Sequence, residues 1–302
     1  MRISVIYIAL CFILGSCIKE IPYDRSAQTT ASHAVHCFIT PDSIIISDCR
    51  LTAPFGSKDA PVAGADFSIR YPSGQIMDSS LYSGNGLHIF KTNTLQSGDS
   101  FIFRGNIRGQ QSFEIHSAIP NAISILQLDT SRQIIPGIGR AFSVAVRFSD
   151  NPVNNNFYRC FLYKTSFRYV YDYTGTLSDS FLKKEIIALF SNEFPVAEND
   201  FNNYTSREVL FSDASFNGVN NNMVFYTSDP LVKNKQERPV GIEFHLENID
   251  KNLFDFYNTR NAHIWQQQSI SQLPGSIIGN IPGMYGVMGG YTKDYRSVNL
   301  KR

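Results

Sequence analysis

Two Phe-Ser-Asp triplets, Phe148-Ser149-Asp150 and Phe211-Ser212-Asp213, supply the pair of side chains most suggestive of chemistry in this chain. Two carboxylates across a cleft can divide the acid and base roles of glycoside hydrolysis. Each aspartate also ends a candidate strand ahead of a loop rich in Asn and Gly, where Asp commonly bonds its own backbone to close a turn, and that structural role is the preferred reading. His245-Leu246-Glu247 has the His-x-Glu spacing of a zinc deaminase, but the Pro-Cys-x-x-Cys that completes the ligand set is absent. The six histidines, His33, His36, His88, His116, His245 and His263, are scattered without ligand spacing, and His33 and His36 flank the start of a candidate strand. No H-E-x-x-H, G-x-S-x-G, Walker loop or G-x-G-x-x-G occurs.

Cys17 is the residue whose neighbours do specify a reaction. Arg2 precedes an apolar run from Val5 to Leu14, too short to span a hydrocarbon core of roughly 30 Å, and the run ends in Leu14-Gly15-Ser16-Cys17. Small residues directly before a cysteine resemble a bacterial lipobox, where the thiol is diacylated and the preceding peptide bond is cut. Residues 1–16 are therefore expected to be a lipoprotein signal peptide, with lipid on Cys17 contributing about 0.8 kcal/mol of anchoring per buried methylene. The competing reading is a buried cysteine in an N-terminal helix. Cys37, Cys49 and Cys160 remain in the folded part, and Cys37 and Cys49 fall in consecutive candidate strands. A disulfide between those two and free cysteines acting as small hydrophobes both stay open.

The composition restricts what must position these groups. Charged residues make up 18% and aromatic residues 13% of the 302, a balance that favours strands over long exposed helices. Arg2 is the one charge in the first 16 residues, so without them 26 basic residues face 26 acidic ones. Nucleic acid is not an expected partner, because polyanion binding requires clustered positive charge.

Residues 17–32 read as a flexible tether. From residue 33 short alternating segments (Ala34–Ile39, Ser43–Thr52, Ala65–Tyr71, Ser100–Ile107, Gln111–Ala118) are punctuated by Pro, Gly, Asp and Ser. This predicts a mainly β chain: an immunoglobulin/fibronectin-like β-sandwich over 33–119, then a larger β-rich domain over 120–302. Ala122–Asp129, Arg140–Phe148, Phe157–Tyr173 and Asn222–Tyr226 are its clearest strands, with Asn-rich loops at Asn151–Asn156 and Phe216–Asn222. One amphipathic helix is expected near 249–267, where Leu253, Phe256, Tyr257, Arg260 and Ile264 recur at helical spacing behind Asp250.

Two features have the composition of binding surfaces. Phe167, Tyr169, Tyr171 and Tyr173 alternate along one strand, so their rings share a face. Such a comb either packs inward against a second sheet or stacks a glycan, peptide or partner chain. Any contact is expected to combine Tyr169, Tyr171 and Tyr173 with the Asn-rich loops, represented by Asn221. The glycine-rich tail Pro274–Tyr291 lacks the following helix that a phosphate loop needs, so Ile277, Ile278, Ile281 and Val287 are expected to tuck a closing strand into the core.

The order of short motifs resembles a known family. Val146 to Pro152 followed by Phe157-Tyr158-Arg159, then Leu210 to Asp213 with Phe216-Asn217-Gly218, Phe254 to Tyr257, and Gly279-Asn280-Ile281-Pro282-Gly283-Met284-Tyr285-Gly286-Val287 with Gly289-Gly290-Tyr291 are similar to Bacteroidota lipoproteins catalogued as domain of unknown function 4249. Cys17 to Ile21 and Phe38 to Pro41 match it as well. The resemblance implies an outer-membrane lipoprotein, often associated with TonB-dependent transporters, without an established enzymatic activity. The single Lys19-Glu20 pair is less acidic than a surface-export signal, so the face of the membrane stays open. The expected function is thus a non-enzymatic, lipid-anchored outer-membrane protein that binds a ligand or protein, an accessory subunit of a TonB-dependent transporter or other outer-membrane complex, with no cofactor beyond the covalent lipid. An envelope hydrolase acting on glycan or peptide is the alternative.

Overall fold

The computed structural model describes residues 32–41, 43, 45–51, 59–91, 94–135, 139–152, 155–191, 207–216, 220–228, 236–267 and 276–300. The signal segment and Cys17 lie outside them, as does the tether except for Ser32.

Among the described residues the chain is mainly β with one helix, as expected. The strands are β1 (His33–Ile39), β2 (Ile46–Leu51), β3 (Ala60–Pro61), β4 (Ala65–Arg70), β5 (Ile76–Ser79), β6 (Leu81–Gly84), β7 (Leu87–Ile89), β8 (Ser100–Ile107) and β9 (Phe113–Ala118). They continue with β10 (Ser124–Ile135), β11 (Gly139–Ser149), β12 (Phe157–Tyr171), β13 (Leu177–Ile187), β14 (Val209–Ser212), β15 (Asn220–Ser228), β16 (Glu237–Ile249) and β17 (Tyr285–Asn299). The helix is α1 (Lys251–Gln267), between β16 and β17.

One long sheet forms the backbone of the molecule, in the order β13-β12-β16-β17-β1-β2-β7-β6, with β14 added on β12 and β3 on β2. A four-stranded sheet (β5-β4-β8-β9) and a three-stranded sheet (β10-β11-β15) accompany it. The long sheet is continuous across residues 119 and 120 because β17 pairs in parallel with β1, Ala34 facing Tyr285 and Ile39 facing Gly290. Strand alternation then divides β17 between two layers. Met288 enters the first core with Val35, Phe67, Phe103 and Ile281, whereas Val287 turns to the other face, under Leu253, Phe256 and Tyr257 of α1. A second core gathers Val146, Phe148, Tyr158, Phe211, Phe225 and Phe244 between the long sheet and the three-stranded one. Each fully buried aromatic or aliphatic side chain contributes about 1.5–3 kcal/mol.

Local sequence explains the helix. Asp250 accepts the Leu253 N–H at 2.8 Å, so it is the N-cap, and Leu253, Phe256 and Tyr257 follow at the spacing of one buried stripe. Ile264 extends that stripe in sequence but is exposed. Asp250 also accepts the Ser117 hydroxyl and, at 3.1 Å, the Gly290 N–H, which clamps the end of β9 and β17 to the start of α1. Burial raises its pKa above the ordinary carboxylate value, while those hydrogen bonds pull the other way.

Two expectations for the tail are corrected. Ile281 and Val287 are buried, but Ile277 and Ile278 are exposed, because the segment before Asn280 runs outside the sheet. Asn280 is what docks the tail: its amide donates to the Met288 carbonyl at 2.7 Å and accepts the Met288 N–H at 2.9 Å, reproducing a strand pair with one side chain. Cys37, Cys49 and Cys160 are free and buried; Cys37 faces Ser47 and Cys49 faces Val35, so the first two are diagonal neighbours.

Candidate functional site

β12 and β13 form a hairpin that outruns the sheet. β12 is flanked by β16 only as far as Arg168, opposite Glu237, whereas its pairing with β13 continues to Tyr171 opposite Leu177. On the face of β12 opposite the comb, Cys160, Leu162 and Ser166 are buried within the sheet. Among the described residues β16 pairs with β12 no further than Arg168, and exposure reaches 43% at Tyr171, the last residue of the strand, and 101% at Tyr173 in the turn. Tyr169 is half-buried, its N–H donating to the Gln236 carbonyl at 2.9 Å. Phe167 lies beneath the Arg238 guanidinium, 5.1 Å from its carbon to the ring centroid.

The comb is half-buried at Phe167 and Tyr169 and exposed at Tyr171 and Tyr173, so among the described residues it is not a fully buried core face. It also has three members on the strand rather than four, since Tyr173 belongs to the turn. Asp172 organises this turn, accepting Thr174 N–H and Thr176 N–H at 2.8 and 2.9 Å and the Thr174 hydroxyl at 2.6 Å. The Thr174 hydroxyl foremost, then the backbone donors, hold its carboxyl below the usual range. Val170, Leu177, Phe181 and Leu182 are also more than one-third exposed, so both faces of the projecting ribbon present apolar surface.

Asn221 is not gathered with the tyrosines. It stands half-buried on β15, opposite Phe148, in the three-stranded sheet. The Asn-rich loop at 151–156 has an interior role at its end: Asn156 is buried and ties together the two Phe-Ser-Asp motifs. Its N–H donates to Asp213 Oδ2 at 2.8 Å, and its amide nitrogen reaches Asp150 Oδ1 and Asp213 Oδ2 at 3.0 Å each. Tyr158 donates its hydroxyl to Asp150, and burial foremost, with that bond next, raises the phenol pKa. The aspartates thus meet on Asn156, which ties together the ends of β11 and β14 and the start of β12. With Asp213 only 1% exposed, an acceptor removed there strands a buried N–H. Asp213→Ala should cost about 2–3 kcal/mol, and Asp213→Asn clearly less because its amide oxygen can still accept. Urea titration measures both; a loss well under about 1 kcal/mol for Asp213→Ala would show the hub to be unimportant.

An ion cluster that no motif announced lies between α1 and the sheet. Arg159 donates to Glu208 at 2.6 Å and Glu247 at 3.0 Å, and stacks 4.3 Å from the centroid of Tyr257. Arg260 and Asn261 of α1 also bond Glu208, the latter at 2.8 Å. Burial raises the Glu247 pKa despite Arg159. At Glu208 burial also pushes upward, but Arg159 and Arg260 outweigh it and hold this carboxyl below its usual range. Arg, Glu and aromatic residues spread over a hundred positions have no spacing that could reveal such a contact. Only the Asp250 cap and the helical stripe hinted that α1 needed a docking partner.

His245 of the deaminase-like triplet stacks on Phe161 and Tyr295 and bonds Glu243; burial lowers its pKa. Among the described residues no three His, Cys, Asp or Glu side chains are arranged to hold a metal ion. No helix among them is long and apolar enough to cross a membrane.

No curated protein sequence matches the chain. Among solved structures, the native conformation of E. coli alpha-2-macroglobulin is similar with 12% identity and a TM-score of 0.21, over 74% of this chain and 14% of that one. A tetra-tandem repeat from the extending region of a large adhesion protein is similar with 8% identity and a TM-score of 0.19, over 90% of this chain and 49% of that one. The chain thus spans from about one-seventh to half the length of these structures, and likenesses at such TM-scores carry no argument. The family model described as domain of unknown function DUF4249 matches residues 18–297, nearly the whole length over which the short motifs occur in order, and the chain belongs to that family.

Proposed function

We propose that this protein is a non-enzymatic lipoprotein, anchored to the outer membrane through Cys17, that holds a protein partner as an accessory subunit of a TonB-dependent transporter or another outer-membrane complex. The contact is made by the projecting end of the β12–β13 hairpin, with Tyr169, Tyr171 and Tyr173 as its anchors. The observation supporting this is the exposure of the comb on a ribbon that has left its sheet. Tyrosines contribute large contact area at low cost in side-chain entropy, and water is a poor solvent for so much apolar surface on both faces of a two-stranded ribbon. Asn221 is left outside the contact, because it stands on a different sheet.

Mild detergent extraction of the tagged protein from its native membranes tests this. The parent should bring down a stoichiometric outer-membrane barrel, and Tyr171→Ala/Tyr173→Ala should retain at least about tenfold less. The melting temperature should stay within about 2 °C, since exposed side chains contribute little to stability, and Asn221→Ala should retain the partner in full. Undiminished retention by the double tyrosine variant, or a parent extracted without any partner, would refute the proposal.

A further inference from the structure

β13 is the last strand of the long sheet, and among the described residues nothing pairs with its outer edge over the eleven residues Leu177–Ile187. Long open edges are templates for another strand. This one is also apolar, with Leu177, Phe181, Leu182 and Ile186 exposed by 52, 46, 58 and 37%. We propose that the edge of β13 pairs antiparallel with the same edge of a second copy of this chain, Phe181 facing Phe181 on the two-fold axis.

The choice of a second copy rests on charge. Antiparallel edges related by a two-fold must have the axis normal to the sheet, which keeps each face continuous and places one residue opposite its own copy. With Phe181 on the axis, Asp179 faces Lys183 twice by symmetry and Ser180 faces Leu182, so the regular stretch Asp179–Lys183 is paired throughout, up to the irregularity of β13 at Ser178. Neighbouring registers lose this. Ser180 on the axis sets Asp179 against Phe181, and Leu182 on the axis sets Asp179 against Glu185, like against like. Asp179, Lys183 or Lys184 on the axis opposes a charge to itself. Cross-strand opposite charges and aromatic pairs stabilise, and like charges directly opposed destabilise.

The backbone permits the approach. Phe181 pairs with Arg168, the residue where β16 stops flanking β12, so the axis falls where the ribbon leaves the sheet and the two bodies lie at opposite ends of the overlap. Phe167 and Tyr169 lie opposite Leu182 and Ser180 and share their face, whereas Phe181 points to the other. The comb is therefore left uncovered by the second copy, and dimerisation is separable from capture of a different partner.

A charge swap tests the register on the detergent-extracted full chain by sedimentation velocity. The parent should be a dimer, and Asp179→Lys and Lys183→Asp should each weaken self-association by about tenfold or more. Mixed in equal amounts the two variants should associate again, because every 179–183 pair is then of opposite sign. In native membranes Phe181→Cys should form an intermolecular disulfide under mild oxidation, and Ser178→Cys should not. The buried cysteines Cys37, Cys49 and Cys160 give little competition. A monomeric parent, mixed variants that fail to associate, or Phe181→Cys that does not cross-link would overturn the proposal.

Discussion

Arg159→Met should lower the unfolding free energy by about 3–5 kcal/mol at neutral pH, the usual cost of removing one partner from a buried ion pair. The substitution keeps most of the packing volume against Tyr257 but takes from Glu247 its bonded guanidinium and from Glu208 one of its two, the bonds from Arg260 and Asn261 remaining. Both glutamate side chains are about 90% buried, so water cannot replace the guanidinium. The pH dependence should then shift towards acid, because in the parent the two carboxyls oppose each other: burial holds the Glu247 pKa above its unfolded value, so its contribution fades as pH rises. In the parent, the Glu208 pKa is held below its unfolded value; its stabilisation is present above that value and is lost as pH falls through the folded pKa. In the variant Glu247 should titrate higher still and Glu208 should lose the part of its depression that Arg159 supplies, so the cluster's contribution should be greatest at low pH and fade as pH rises through the folded pKa of Glu247. Denaturant titrations between pH 5 and pH 8 would show Arg159→Met gaining stability on acidification from pH 8. A parallel pair of curves would mean that the cluster is solvated and that packing alone explains any loss.

Gly286→Ala should cost about 4 kcal/mol or more and leave little folded protein. Gly286 has φ +112°, and a Cβ there would stand 1.9 Å from the Val35 carbonyl oxygen, in the parallel pairing that joins β17 to β1. Relief would require β17 to move away from β1, opening the first core where Met288 and Ile281 enter it. Gly283, at φ +68° with open space around it, isolates the backbone contribution: Gly283→Ala should cost only about 1–2 kcal/mol. Thermal melts compare the two directly. Equal losses would show that the left-handed backbone, and not the approach of β17 to β1, is what requires glycine at Gly286.

Much of the fold is legible one residue at a time. Ser100–Ile107 alternates so regularly that β8 begins and ends where the pattern does, and α1 starts after the only carboxylate placed to cap it. β13 and β16 escape such a reading. Their segments mix charges with apolar residues, as in Ser180-Phe181-Leu182-Lys183-Lys184-Glu185, because a strand at or near a sheet edge can place Lys and Glu on either face. At the candidate site, the alternation of Phe167, Tyr169 and Tyr171 showed that the rings share a face. Whether that face met another sheet or solvent depended on which elements, distant in sequence, fold over it.

The same division runs through the whole chain. Periodicity, capping and turn residues act over a few bonds, so the sequence alone determined a mainly β architecture, the position of its helix and the glycine-rich closure. Tertiary structure alone decided the parallel union of β17 with β1, the meeting of Asp150 and Asp213 on Asn156, the burial of Arg159 between two glutamates and the place of β13 at the end of the long sheet. These are contacts between residues far apart in sequence. Their energies arise from desolvation and from hydrogen bonds that form only when other elements close around them, and no local pattern of residues encodes which elements those will be.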